Sequence, residues 1–88
     1  MTGEPWSVEI ERRADRDIRR LDRQVRERVL KAIAQLAADP AKAPIRRLEG
    51  RPESRLRVGD WRAIFQPDNE RHTIVIKRVL PRGRAYNR

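Results

Sequence analysis

The first half of the chain changes from alternating apolar and polar residues to a helical pattern. Residues 6–10 alternate as a half-buried strand does. Apolar side chains then recur at steps of three or four residues, at Ala14, Ile18, Leu21, Val25, Val29, Ile33 and Leu36. Asp22 lies between two such sets and suits an N-cap, while Pro40 forbids continuation of a helix. The pattern predicts a helix hairpin over about residues 12–21 and 23–38.

A second alternating stretch, residues 55–66, predicts a β-hairpin around the Gly-Asp pair at 59–60. Successive side chains of a strand point to opposite faces, so Arg55 and Arg57 share the face that the apolar residues avoid. The register that brings the apolar sides of the two strands together also sets Arg62 on that face. The hairpin is therefore expected to gather three guanidinium groups, which call for a counter-charge.

The segments around this hairpin predict less regular structure and one further strand. Residues 39–53 contain three prolines and a glycine and predict a loop, which carries a basic cluster. That cluster consists of Arg46, Arg47 and Arg51. Residues 67–71 predict a turn, and residues 73–79 predict the last strand.

The last predicted strand is apolar on both faces. Ile74 and Ile76 point to one side, and Val75 and Val79 point to the other. A helix hairpin covers only one face of a sheet. We therefore expect Ile64, Ile74 and Ile76 to form apolar surface on the face opposite the helices, where a ligand or a partner chain would bind.

Composition narrows the classes of protein that fit. The 88 residues suffice for one small domain spanning 1–88. The absence of cysteine excludes a disulfide framework and a thiolate nucleophile, and a single histidine excludes a His-rich metal site. That histidine, His72, is interpreted as a solvated turn residue. No apolar run reaches the length of a membrane span and the start lacks a signal-peptide core, so a cytoplasmic location without membrane contact is expected.

The formal charge of +9 is concentrated in the second half of the chain. Residues 1–44 carry 10 basic and 8 acidic side chains, whereas residues 45–88 carry 12 and 5. The second half is thus expected to face a polyanion, and nucleic acid is the first candidate.

The chain from about residue 6 to residue 86 resembles the RelE/ParE superfamily of toxins from type II toxin–antitoxin systems. The resemblance rests on the helix pair ending at 39–40, the Arg-Leu-Glu-Gly loop at 47–50, the hairpin at 56–65 and the segment at 82–86. It implies an α+β fold of order β-α-α-β-β-β, with a helix hairpin packed on one face of a mainly antiparallel sheet. The elements predicted above follow the same order.

The resemblance also implies an activity. RelE-like members are ribosome-dependent endoribonucleases that cut mRNA without metal or other cofactor, the 2′-hydroxyl attacking the adjacent phosphate. By position, Arg62 would stabilise the transition-state phosphate, while Arg82 and Tyr86 match a tail arginine and a tail tyrosine of the catalytic set. The residues expected to bind RNA or the ribosome are Arg46, Arg47, Arg51, Arg55, Arg57 and Arg84. The implied partners are mRNA, the ribosome and a cognate RelB-like antitoxin.

The proton chemistry of such a reaction points to Tyr86. Metal-free cleavage requires a base that accepts the 2′-hydroxyl proton. The arginine guanidinium stays protonated in proteins, so it cannot accept this proton. Arg55 and Arg57 stand where RelE itself has lysines, so those candidate bases are missing. Neighbouring cations stabilise a phenolate and lower its pKa from about 10. The alternative is that no side chain acts as base and that the ribosome supplies positioning.

Two other functions remain open on the sequence. A ParE-like protein would inhibit DNA gyrase without a catalytic site, and a basic domain could bind nucleic acid without chemistry. The spacing of Tyr86 from Arg82 favours the ribonuclease. Glu49 stands where RelE has a basic residue, and Pro81 stands where lysine or histidine is common. Because of these two departures, the gyrase inhibitor is kept as the alternative function. For either toxin we expect an antitoxin with acidic residues that meet the hairpin arginines and an apolar segment that covers the isoleucines.

Overall fold

The computed structural model describes residues 5–83, in which two α-helices pack on one face of a five-stranded sheet. The elements are β1 (Ser7–Ile10), α1 (Arg12–Arg19), α2 (Arg23–Ala38), β2 (Ile45–Arg47), β3 (Ser54–Val58), β4 (Trp61–Asp68) and β5 (Thr73–Pro81). The strand order is β1-β5-β4-β3-β2, with β1 parallel to β5 and the other pairs antiparallel. The predicted α+β fold is confirmed, with one strand more than expected. No helix within these residues is long and apolar enough to cross a membrane.

The helix hairpin forms where the apolar periodicity placed it. The Val25 amide donates to Asp22 Oδ1 at 3.0 Å, so Asp22 caps α2 as predicted. Arg26 Nη1 donates to the Leu21 carbonyl at 3.3 Å and to the Arg19 carbonyl at 3.5 Å, which ties the start of α2 to the end of α1. The helix hairpin contributes to the hydrophobic core Ala14 and Ile18 from α1, Leu21 from the connection, and Val29, Ile33 and Leu36 from α2. They pack on the apolar side of the sheet and form one core with it.

The β3–β4 hairpin has the register that the apolar residues predicted. Leu56 pairs with Ala63, and both are buried against the helices. Gly59 has a φ of 60°, and the two-residue loop between β3 and β4 needs such a residue at its first position. Because directly opposed residues share a face, the alternate positions of the hairpin lie on the side away from the helices.

A β-bulge interrupts the pairing of β4 with β5. Phe65 pairs with Ile76, but the residue before Phe65 pairs with Arg78, so Lys77 is the extra residue of β5. One extra residue reverses the alternation of side chains beyond it. Val79 therefore faces the helices and joins the core that holds Ile76.

The expected apolar surface opposite the helices does not form as predicted. Ile74 and Ile76 are 1% and 0% exposed and lie in the core beneath the helices, together with Val79. The prediction was wrong because the strand is apolar on both faces, so its own sequence could not choose which side the helices cover. Of the three isoleucines, Ile64 alone lies half-buried on the opposite face.

The segment predicted as a loop, residues 39–53, contains regular structure. A 3₁₀ turn covers Pro40–Lys42, and β2 pairs antiparallel with β3. The expectation of a continuous loop was wrong because a three-residue edge strand with every side chain exposed shows no apolar alternation. The turn predicted at 67–71 is shifted too, since β4 runs through Asp68 and the turn occupies residues 69–72.

His72 is not the solvated turn residue that was expected. Its ring stacks on Trp6, with ring centroids 4.2 Å apart and planes inclined by 20°. The residue has a φ of 52°, and its carbonyl accepts a hydrogen bond from the Ser7 amide at 3.0 Å. The tight turn before β5 thereby brings His72 against the segment that leads into β1.

An ion pair joins α1 to the bulge of β5. Asp17 Oδ2 accepts hydrogen bonds from Arg78 Nε at 2.8 Å and from the Val79 amide at 2.9 Å, and Oδ1 accepts from Arg78 Nη2 at 3.2 Å. Burial of the carboxyl favours its neutral form, but the hydrogen bonds from Arg78 and Val79 and the charges of Arg78 and Arg13 outweigh it. The pKa of Asp17 is consequently held below its usual value of 3.8.

Asp17→Asn is expected to lower the free energy of unfolding at neutral pH by about 2 kcal/mol. The amide removes the charge and turns a donor toward Arg78 or Val79. Since the carboxyl is a stronger acid in the folded state, its stabilising effect is complete above about pH 4 and is lost as the pH falls through the native pKa. Denaturant unfolding at several pH values measures the difference, which should shrink in acid.

Asp15→Asn is the matched control for this prediction. Asp15 pairs with Arg19 at 2.9 Å, but their side chains are 47% and 78% exposed. Exposed pairs of this kind contribute less than about 0.5 kcal/mol after solvent screening. Equal losses for the two variants at every pH would contradict the role given to Asp17.

Candidate nucleic-acid interface

A groove of about 470 Å³, here called the arginine groove, opens among β2, β3, β4 and the end of β5. It is lined by Pro44, Ile45, Arg46, Arg55, Arg57, Gly59, Arg62 and Arg82. Five of these eight residues are arginines, and among the described lining residues none is acidic. Such a concentration of guanidinium groups is suited to phosphate or carboxylate groups of a ligand.

Strand pairing explains how the arginines converge. Arg57 lies directly opposite Arg62 in the β3–β4 pair, and Arg46 lies directly opposite Arg55 in the β2–β3 pair. Directly opposed residues of antiparallel strands share a face and have Cβ atoms about 5 Å apart. The fold thus holds two pairs of like charges side by side, and both pairs would attract an anionic ligand bound in the groove.

Two of the groove arginines are buried and form its floor. Arg55 is 7% exposed and Arg62 is 6% exposed. Arg62 Nη1 donates to the carbonyls of Gly59 and Trp61, each at 2.8 Å, so the guanidinium is anchored to the hairpin turn. Our sequence interpretation had kept Arg62 outside the core, and its burial means that it also supports the fold.

Arg82 reaches the groove through the end of β5. Its backbone amide donates to the Asp60 carbonyl at 2.8 Å, immediately after Pro81 pairs with Trp61. The chain beyond β5 is thereby attached to the β3–β4 turn, where Arg62 is anchored. The side chain of Arg82 is exposed at the rim, as are those of Arg46 and Arg57.

Helix α2 contributes an arginine that the sequence interpretation missed. A methyl group added at Gly59 would lie 3.4 Å from Arg28 Nη1, so this guanidinium lies against the hairpin turn. The helical pattern of apolar residues gives Arg28 no role. Nothing in its local sequence signals the turn, because the approach depends on how α2 docks on the sheet.

Two further predicted contacts, Arg47 and Arg51, are not brought into the groove. Arg47 alternates with Arg46 on β2 and points to the other face, where it pairs with Ser54. Arg51 lines a separate cavity of about 290 Å³, whose apolar lining residues are Leu48, Ile64 and Leu80. Arg84 and Tyr86 lie outside the described residues.

Comparisons with known proteins identify the family of this two-layer α+β fold. The sequence from residue 8 to residue 86 matches the family profile described as the ParE toxin of the type II toxin–antitoxin system parDE. The chain belongs to this RelE/ParE family of type II toxin–antitoxin toxins. A comparison with curated proteins found no significant match.

Solved structures of RelE–RelB systems share the fold over nearly the whole chain. A chain of the toxin–antitoxin complex RelBE2 from Mycobacterium tuberculosis is 26% identical with a TM-score of 0.80, covering 92% of this chain and 95% of that chain. The archaeal RelE–RelB complex from Pyrococcus horikoshii OT3 gives 26% identity and a TM-score of 0.77, with coverages of 92% and 99%. A chain of the intact E. coli RelBE complex is 23% identical with a TM-score of 0.68, covering 86% of this chain and 95% of that chain. This similarity concerns the fold alone.

Proposed function

We propose that this toxin binds mRNA in the arginine groove and cleaves it on the ribosome by metal-free attack of a 2′-hydroxyl on the adjacent phosphate, which stops translation in the cytoplasm. The observation that carries the proposal is the convergence of two buried and three exposed arginines in one groove, with no acid among the lining residues that the structure describes. The similarity to RelE–RelB complexes over nearly the whole chain supports it.

In this mechanism Arg62 stabilises the charge that develops on the phosphate. Its two carbonyl hydrogen bonds fix the guanidinium before the substrate arrives, so little reorganisation is needed during the reaction. Arg82 stands at the rim beside the same turn and would contact the phosphate or the leaving 5′-oxygen. Arg46, Arg55 and Arg57 would hold the neighbouring backbone of the RNA.

The proposal assigns the base to Tyr86, which follows Arg82 by four residues. The amide of Arg82 is attached to the hairpin turn, and four residues of chain span at most about 14 Å. The phenol is thus within reach of the groove. Arginines around it would stabilise its ionised form, as a base for the 2′-hydroxyl requires.

The second candidate function is inhibition of DNA gyrase. The match to a profile described as a ParE toxin favours it. Expression in growing cells, followed by separate measurements of transcript ends and of plasmid supercoiling, distinguishes the two. New transcript ends without a change in supercoiling are expected for the ribonuclease, and the opposite result would establish the gyrase inhibitor in its place.

We also propose a cognate RelB-like antitoxin encoded beside this gene. The similar M. tuberculosis and P. horikoshii structures are toxin–antitoxin complexes. An antitoxin segment with acidic side chains would pair with Arg55, Arg57 and Arg62 and would exclude RNA from the groove. Amide hydrogen exchange should then slow in β3 and β4 when the adjacent small gene is co-expressed, and unchanged exchange would rule out this placement.

RNA affinity is expected to fall steeply with salt. Each neutralised phosphate of a single strand contributes about −0.7 to the slope of log affinity against log salt, so four contacts give about −3. Fluorescence anisotropy with a labelled single-stranded RNA measures the slope. Arg57→Ala removes one exposed cation of the groove and should make the slope shallower by about 0.7. A slope near zero would exclude the groove as the nucleic-acid surface.

A further inference from the structure

We propose that Asp17 on helix α1 is a positioning residue, which holds Arg82 in the arginine groove by fixing the last part of β5. The inference rests on the proposed function of the groove, and it extends that function to a residue on the opposite layer of the molecule. Asp17 touches neither the groove nor its ligand. It acts through the backbone of β5.

Asp17 lies beside the part of β5 that extends beyond the end of β1. Strand β1 pairs with β5 from Ser7 opposite Thr73 to Ile10 opposite Ile76, and then the chain turns into α1. The later residues of β5 continue beyond the end of β1. There the Val79 amide donates to Asp17 Oδ2 at 2.9 Å, so the carboxylate takes the place of a neighbouring strand.

Asp17 also binds the residue that follows the bulge of β5. Arg78 follows the extra residue Lys77, and its guanidinium makes two hydrogen bonds to the two oxygens of Asp17, at 2.8 and 3.2 Å. The Asp17 side chain is 13% exposed and that of Arg78 is 26% exposed. A bidentate, largely buried pair at a bulge restrains the local twist and the register of the strand.

The register of β5 beyond the bulge determines how the strand meets the groove. Beyond the bulge Leu80 pairs with Arg62, Pro81 pairs with Trp61, and the Arg82 amide reaches the Asp60 carbonyl. Each of these contacts requires the β5 backbone to pass Arg78 in its bulged form. Loss of the Asp17 contacts would remove the polar restraint on the outer edge of this segment, and the position of Arg82 relative to Arg62 would become less defined.

A function-independent measurement tests the first part of the proposal. In Asp17→Asn, hydrogen exchange of the Arg82 amide is expected to accelerate about tenfold, whereas that of the Arg57 amide, which donates to the Pro44 carbonyl on the far side of the sheet and opens locally without breaking the Asp17 contacts, should stay unchanged. Asp15→Asn should leave the exchange rates of both amides unchanged. Equal acceleration of both amides in Asp17→Asn would overturn the proposal, because it would show a general loss of stability.

A double-mutant cycle tests whether Asp17 acts through Arg82. Asp17→Asn should weaken RNA binding about fivefold in the wild-type background and leave it unchanged in an Arg82→Ala background. A merely structural role would give the same loss in both backgrounds and would overturn the inference. If wild-type protein failed to bind RNA, the proposed function would fall, and the exchange measurement would still decide whether Asp17 positions Arg82.

Discussion

Replacing Arg62 with alanine is expected to lower the rate of mRNA cleavage about 10²- to 10³-fold, the usual loss when one preorganised donor to a developing negative charge is removed. It should also destabilise the protein by roughly 1–2 kcal/mol, because the Gly59 and Trp61 carbonyls lose their hydrogen bonds. Cleavage should be measured with purified protein on programmed ribosomes, at a temperature where circular dichroism shows the variant to be folded.

Arg47→Ala is the matched control for this substitution. It removes the same charge from the edge strand β2, but Arg47 points away from the groove. Its cleavage rate should fall less than about threefold, as expected for a weak long-range charge effect in salt. A similar loss in both variants would mean that net charge alone, and not the placement of Arg62, determines the activity.

Tyr86→Phe is expected to reduce cleavage about 10²- to 10⁴-fold, the range over which general acid–base groups contribute. RNA affinity should stay within about twofold of wild type, since the substitution removes one hydroxyl and no charge at neutral pH. Single-turnover cleavage on programmed ribosomes separates the two quantities. Wild-type cleavage by the variant would remove Tyr86 as the base and would favour positioning by the ribosome as the source of rate enhancement.

Arg62→Ala and Tyr86→Phe together also discriminate between the two candidate functions. A gyrase inhibitor has no cleavage step, so neither substitution would change the pattern of transcript ends. Arg62→Ala would still weaken a toxin that uses the groove as a binding surface. Loss of supercoiling effects in Arg62→Ala together with full retention in Tyr86→Phe would therefore favour the gyrase inhibitor.

The sequence by itself determined the elements whose signals are local. Apolar residues at helical spacing and the cap at Asp22 predicted the helix hairpin, because both depend on residues within a few positions of one another. The Gly59 turn and the alternation on either side predicted the register of the central hairpin for the same reason. That register was enough to place Arg55, Arg57 and Arg62 on one face.

Only the tertiary structure decided the features that depend on distant parts of the chain. The bulge in β5 arises where β4 and the helices meet it, and it brought Val79 into the core with Ile76. Docking of α2 brought Arg28 to the hairpin turn, and pairing of β2 with β3 brought Arg46 into the groove while turning Arg47 away. Side-chain alternation is a local property, but which face is covered is set by packing between elements far apart in sequence.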